Sequence, residues 1–155
     1  MLNIGDLAPD FTAIADDGSE FTLSSLRGTK VVLYFYPKDN TPGCTQEACD
    51  FRDLHEKFLS HNIKIVGVSP DSTKSHGNFK SKFALPFPLV SDSDHKIVTA
   101  YGVWVEKKNY GRVYMGVTRT TFVIDETGYI SEIFSNVRVK GHVDAVCSEI
   151  INGKI

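Results

Sequence analysis

Cysteine is scarce in this chain, with three among 155 residues, at positions 44, 49 and 147. An odd count, behind an N-terminus (MLNIGDLAPDF) with no basic region followed by an apolar stretch, argues against a disulfide framework of the secreted kind and predicts a cytoplasmic protein. No apolar run approaches the roughly 18 residues of a membrane span. An excess of one charge is also missing: 17 Lys and Arg stand against 19 Asp and Glu, for a net charge of −2, and like charges do not cluster. That leaves no field to attract nucleic acid or an anionic membrane, and neither partner is expected. Repeats, low-complexity tracts and linkers are absent, so a single domain over residues 1–155 is expected, with 41% hydrophobic and 23% charged residues ordinary for a globular chain. The Cys-x-x-Cys spacing of a disulfide reductase does not occur. His55, His61, His76, His95 and His142 have no ligand spacing and are expected on the surface. Cys44, Cys49 and His55 together fall short of the four ligands of structural zinc, so no metal is expected.

What is present centres on Phe35 to Asp53, FYPKDNTPGCTQEACDFRD. Val31 to Tyr36 is an unbroken β-branched, aromatic and aliphatic run, the pattern of a strand covered on both faces, and Pro37 ends it. Thr41 and Pro42 then read as N-cap and first position of a helix, which puts Cys44 in the first turn. Free backbone N–H groups and the positive end of the helix dipole favour a thiolate there, and the thiolate is the nucleophile. Ala48, Phe51, Leu54 and Phe58 recur at three- and four-residue steps and give this helix an apolar face, while Glu47 and Asp50 suit its early turns and oppose the thiolate slightly.

Elsewhere the pattern predicts strands at Phe11–Ile14 and Phe21–Leu23 joined as an N-terminal hairpin, then Ile63–Val68 and Phe87–Val90, with helices over Ser72–Phe83 and Asp94–Tyr101. Tyr110–Met115 reads ambiguously. Arg119–Ile124 and Tyr129–Phe134 flank Asp125-Glu126-Thr127-Gly128 and predict a second hairpin, and Val143, Cys147, Ile150 and Ile151 form the apolar stripe of a last helix. Strand, helix, strand implies a right-handed parallel crossover, so the expected fold class is α/β with a thioredoxin-like layout, a mixed central sheet flanked by helices.

Pro37, Thr41 and Cys44 make the string PxxxTxxC, which resembles the active-site motif of the peroxiredoxins, thiol peroxidases on an elaborated thioredoxin fold. PKDNTPGCTQEACDFRD, with a second cysteine five positions after the first, is similar to the bacterioferritin comigratory protein, or peroxiredoxin Q, subgroup. APDF at Ala8, GVS at Gly67, SD at Ser91, YGVW at Tyr101 and RTTFVID at Arg119 extend the resemblance over nearly the whole chain. Val105 departs from it, standing where glycine is expected.

The resemblance implies that Cys44 is the peroxidatic cysteine and Cys49 the resolving one, that Thr41 and Arg119 orient the peroxide, and that Pro37 shields the thiolate. It further implies reduction of hydroperoxides through a Cys44 sulfenic acid and a Cys44–Cys49 disulfide, recycling by thioredoxin or a glutaredoxin-type donor, and no cofactor. An intrachain pair of cysteines is compatible with a monomer. The arginine chemistry agrees, because a permanent cation with several N–H donors holds both a thiolate and peroxide oxygens. Residue by residue, blander readings stand beside these: Cys49 as a packed thiol, Thr41 as a plain N-cap, Arg119 as a solvated strand residue. For Cys147, within an apolar stripe, core packing is the expected role. Phe79, Phe83 and Trp104 are candidates for an apolar rim that admits larger hydroperoxides.

One consequence is geometric. Residues five apart on an ideal helix have Cα atoms about 8.6 Å apart. A disulfide takes about 4.4 to 6.8 Å, so pairing Cys44 with Cys49 requires the start of the helix to unwind, where Pro42 and Gly43 weaken it. Hydrogen exchange on the reduced and oxidised protein should show protection lost from Cys44 to Phe51 on oxidation; equal protection in both forms defeats the argument.

Overall fold

A computed structural model describes residues 1–153. Strands β1 (Thr12–Ala15) and β2 (Glu20–Thr22) pair antiparallel across Asp16, Asp17 and Gly18, so the expected N-terminal hairpin forms, within a residue of its predicted bounds. A short 3₁₀ turn at Leu23–Leu26 leads into β3 (Lys30–Phe35). There follow α1 (Pro42–Asp53), α2 (His55–Ser60), β4 (Ile63–Ser69), α3 (Thr73–Phe83), β5 (Leu89–Ser91) and α4 (Lys96–Ala100). The chain continues through β6 (Trp104–Asn109), β7 (Arg112–Val117), β8 (Thr120–Ile124) and β9 (Ile130–Phe134) to α5 (His142–Ile151).

Seven strands form one mixed sheet in the order β2-β1-β5-β4-β3-β8-β9. Parallel pairing holds β3 to β4 and β4 to β5, while β1 joins β5 antiparallel and β8 joins β3 antiparallel. The apolar run of β3 is explained by its place inside this sheet, since alternate residues enter two separate cores. Val32, Tyr34 and Tyr36 pack with Ala48 and Phe51 of α1, Phe58 of α2, Phe79 of α3 and Val146 of α5. Val31, Leu33 and Phe35 face the other way, toward Val98 of α4, Tyr101 and Phe122. The layout is the expected mixed sheet flanked by helices.

One local expectation fails, and one ambiguous stretch is resolved. The helix that opens at Pro42 does not run through Phe58; it ends at Leu54, whose N–H bonds to the carbonyls of Asp50 and Arg52 before α2 begins. The apolar stripe nonetheless carries on across the break, because Phe51 and Phe58 share one core and Leu54 packs against it. The ambiguous Tyr110–Met115 stretch belongs to an antiparallel arm of β6 and β7, turned by Tyr110 and Gly111, both at positive φ. Val105 pairs with Gly116 within that arm, so the missing glycine is accommodated by regular strand pairing. The arm's polar, solvated sequence has no clean alternation, and a tyrosine in a positive-φ turn is not a recognisable hairpin signal.

Gly67 of β4 lies beside Tyr34 of β3, and a Cβ there would come 2.9 Å from Leu89 Cδ2 and 3.0 Å from the Tyr34 ring carbon and hydroxyl. Gly67→Ala should therefore overpack the helical-side core and destabilise the protein by about 1–3 kcal/mol. The urea midpoint should fall while its slope stays unchanged; an unaltered midpoint would mean Tyr34 can move aside freely.

Candidate active site

The register between β3 and β8 builds the site. Phe35 pairs with Thr120, so Arg119, one residue earlier, emerges where β3 hands over to the loop leading into α1. Val137 N–H donates to the Arg119 carbonyl at 2.9 Å and fixes its backbone from the other side. Pro37 stands half-buried just past β3. Thr41 takes the extended N-cap conformation and its carbonyl accepts the first helical bond, from Thr45 N–H at 2.8 Å, with Pro42 following at the first helical position. Its hydroxyl does not cap the helix as predicted. Thr41 Oγ1 donates to the Lys38 carbonyl at 2.8 Å, which folds the loop back on itself.

Cys44 then sits in the first turn, only 2% exposed, with Arg119 Nη2 donating to its sulfur at 3.3 Å. The solvated-strand reading of Arg119 is excluded by that bond and by a second one, Nη1 to Glu47 Oε1 at 2.6 Å. Gly43 makes room for the guanidinium: a Cβ at that position would lie 3.2 Å from Arg119 Nη2. Burial works against the arginine's charge, but Glu47 and the Cys44 sulfur outweigh it and raise its pKa further. The site thus presents a sulfur with a fixed cationic donor beside it, the arrangement that stabilises a thiolate and any negative charge leaving along the same line.

Sequence reasoning missed the role of Glu47, read there only as a charge that suits the early turns of the helix and opposes the thiolate slightly. Its side chain is fully buried, and among the described residues Oε2 has no hydrogen-bond partner. A signal was present: Cys44, Glu47, Ala48 and Phe51 are the buried residues of α1, at i, i+3, i+4 and i+7, and an acid on such a stripe demands a buried partner. Lys107 of the β6–β7 arm was missed as well. Its Nζ donates to the Val117 carbonyl at 2.6 Å, and it lies close enough to feel both Arg119 and Cys44, burial and the arginine lowering its pKa while the sulfur raises it.

Among the described residues Cys44, Cys49 and Cys147 are all free thiols. Cys49 is half-buried on the regular α1 helix, five residues from Cys44. Cys147 packs in the helical-side core, and burial pushes its thiol up, as suits an inert packed sulfur. The surface expectation fails for two histidines. His76 is buried with both ring nitrogens in hydrogen-bond contact, and His142 is buried against Thr121 Oγ1 at 2.9 Å, where burial and then Arg119 bring its pKa down to about 4. Nor do Phe79, Phe83 and Trp104 make a common rim: the phenylalanines pack on the helical-side core, whereas Trp104 packs on the opposite one and stacks on His95.

The profile of the AhpC/TSA family matches residues 4–133. The chain belongs to the AhpC/TSA family and is a peroxiredoxin. It is 51% identical over 142 residues to peroxiredoxin Bcp of Bacillus subtilis, covering 92% of this chain and 90% of that one. With a putative peroxiredoxin bcp of Coxiella burnetii it shares 47% identity, over 96% of this chain and 99% of the relative. The structure superposes on a cysteine mutant of Xylella fastidiosa PrxQ with a TM-score of 0.94 at 38% identity, covering 100% and 99% of the two chains. On the bacterioferritin comigratory protein of Xanthomonas campestris, whose structures are described with alkyl peroxide reduction activity, the TM-score is 0.88 at 41% identity, over 92% and 90%. The peroxiredoxin fold, thioredoxin-like with a mixed sheet between helices, is therefore established for this enzyme. Among the described residues no helix is long and apolar enough to cross a membrane.

Burial raises Glu47 from the ordinary 4.5 to about 7, against the lowering pull of Arg119. Between those values the folded peroxiredoxin holds a proton that the unfolded chain has released, so stability falls as pH rises through that window. The contribution is on the order of 3 kcal/mol. Glu47→Gln should flatten this part of the pH dependence, measured as urea midpoints at about pH 5 and about pH 8; an identical slope in both proteins would place the titration elsewhere.

Proposed function

We propose that Cys44 is the sulfur that attacks peroxide, in a cycle that reduces hydrogen peroxide and organic hydroperoxides as antioxidant defence. The observation that carries this reading is the 3.3 Å bond from Arg119 to Cys44, held in place by Glu47. The thiolate attacks one peroxide oxygen; an S–O bond forms, the O–O bond breaks, and the departing hydroxide or alkoxide takes a proton and leaves as water or alcohol. Charge moves from sulfur toward the leaving oxygen, and the Arg119 donors lie along that path. The oxygen of the Thr41 hydroxyl, whose proton goes to Lys38, is free to accept from a hydroperoxide O–H, and the half-buried Pro37 is assigned the shielding of the thiolate that the family resemblance implies. The alkyl peroxide activity of the Xanthomonas campestris relative supports organic substrates for this chain too.

Cys49 then condenses with the sulfenic acid, forming an S–S bond and releasing water. An external dithiol, thioredoxin or a glutaredoxin-type donor, restores both thiols by exchange and leaves with the disulfide. No cofactor enters the cycle. A single domain working as a monomer suffices, because both sulfurs stand on α1. A sparse, odd set of cysteines supports the reducing cytoplasm as its place of work.

Three variants test the assignment. Cys44→Ser should abolish peroxide consumption. Cys49→Ser should consume one equivalent and stop at a Cys44 sulfenic acid without thioredoxin-linked turnover. Arg119→Ala should slow the first oxidation by about 10²- to 10³-fold, the range for loss of one charge-stabilising donor. Full thioredoxin-linked turnover in the Cys49 variant would promote Cys147 and sink the scheme.

A further inference from the structure

The loop before Cys44 is fastened at a point the proposed chemistry does not use. Asp39, five residues upstream, is buried, and its Oδ1 accepts from Tyr36 OH at 2.6 Å. Oδ2 accepts from Ser75 Oγ at 2.8 Å and lies 2.7 Å from His76 Nδ1. The Asp39 N–H donates to Asp71 Oδ2 at 2.6 Å, which also accepts from Ser69 Oγ at 3.0 Å. His76 has no exposed surface, and its Nε2 lies 2.9 Å from the Val90 carbonyl. A carbonyl only accepts, so Nε2 donates in that contact. The ring therefore bonds at both nitrogens and ties the loop, through Asp39, to α3 and β5. Asp39, Asp71 and His76 are also ligand types for a cation, but both Asp39 oxygens are occupied by donors within the cluster.

We propose that His76 is a positioning residue of the peroxidase cycle: its bond to Asp39 clasps the loop before Cys44 to α3 and so sets how readily the first turn of α1 opens once Cys44 is oxidised. This rests on the Cys44 and Cys49 assignment above. Between the clasp and Cys44 the chain has little else to hold it. Asn40 sits at a φ of 58°, is exposed, and meets α3 through Lys82 Nζ at 3.2 Å, while Pro42 is exposed and Gly43 half-buried. A local opening costs the contacts it breaks, so unwinding that starts at Pro42 spreads upstream until it meets a fixed point, and Asp39 is that point. The oxidised sulfur has two fates. It condenses with the Cys49 thiol and loses water, or a second peroxide adds oxygen to it, giving a sulfinate as the second O–O bond breaks. The first fate needs the turn open and the second proceeds with it closed, so the strength of the clasp divides the flux.

Two isosteres separate the two bonds of the ring. His76→Gln puts an amide N–H near the Nε2 position, keeping Val90 and losing Asp39, whereas His76→Asn keeps Asp39 and loses Val90. Rapid quench and mass spectrometry after one equivalent of peroxide read disulfide formation as loss of water, and excess peroxide reads the sulfinate. His76→Gln should form the disulfide about tenfold faster or more, as for loss of a bond to a charged group, and yield less sulfinate, while His76→Asn stays within about threefold of the unaltered protein. If the Gln variant fails to fold, Ser75→Ala, which removes one donor from the same carboxylate, should shift both readouts the same way. A folded His76→Gln protein with unchanged disulfide rate and sulfinate yield overturns the clasp, as do equal shifts in both isosteres. Failure of the underlying assignment looks different: the unaltered protein itself would form no Cys44–Cys49 disulfide.

Discussion

The Arg119 guanidinium joins Cys44 Sγ at 3.3 Å to Glu47 Oε1 at 2.6 Å, and both contacts depend on the register of β8 against β3. A one-residue slip would turn the arginine to the other face of the sheet and leave Glu47 buried without its cation. Breaking such a pair by removing one partner costs several kcal/mol, because the desolvated charge remains. The register is therefore enforced twice, by the apolar alternation of β3 on its two cores and by the ion pair at its end. What α1 adds is direction: residues 44 and 47 lie on one side of a helix whose next buried positions, Ala48 and Phe51, anchor it to the sheet.

That anchoring creates a conflict the rest of the site resolves. The helix must be regular to aim Cys44 at Arg119, yet a regular helix keeps Cys44 and Cys49 too far apart for the proposed disulfide. The buried anchors of α1 are distributed accordingly, with Ala48, Phe51 and the core behind them deep in the protein and an exposed proline and a glycine at the leading edge. Opening the first turn withdraws a single residue from the helical-side core, since of the residues 40–44 only Cys44 is buried.

Most of the architecture was readable beforehand because periodicity reports burial. The unbroken β3 run, the stripe on α5 and the Asp125–Gly128 turn each place an element correctly to within a residue or two. Partnerships across the fold were not legible in the same way. Glu47, His76 and His142 look like surface residues by type, and only the tertiary arrangement supplies the Arg119, Asp39 and Thr121 groups that make their burial tolerable. Thr41 shows the converse. Its N-cap position was correct, but a hydroxyl that can reach two acceptors or donors cannot be assigned from spacing, and the loop carbonyl of Lys38 won it.

Two polar clusters thus bracket the reactive segment, Asp39 with His76 on the loop side and Arg119 with Glu47 on the helix side. Polar clusters differ from apolar packing in how they fail. A hydrophobic contact weakens in proportion to the area exposed, whereas a buried hydrogen-bonded pair is either made or lost, with a large penalty for the unpaired group. Bracketing a short, weakly packed segment by two such pairs gives it discrete states instead of gradual fraying. In the proposed cycle, chemistry at the sulfur then acts on the balance directly: oxidation of Cys44 alters the sulfur to which Arg119 donates, and so weakens one bracket at the step for which the Cys49 disulfide requires opening.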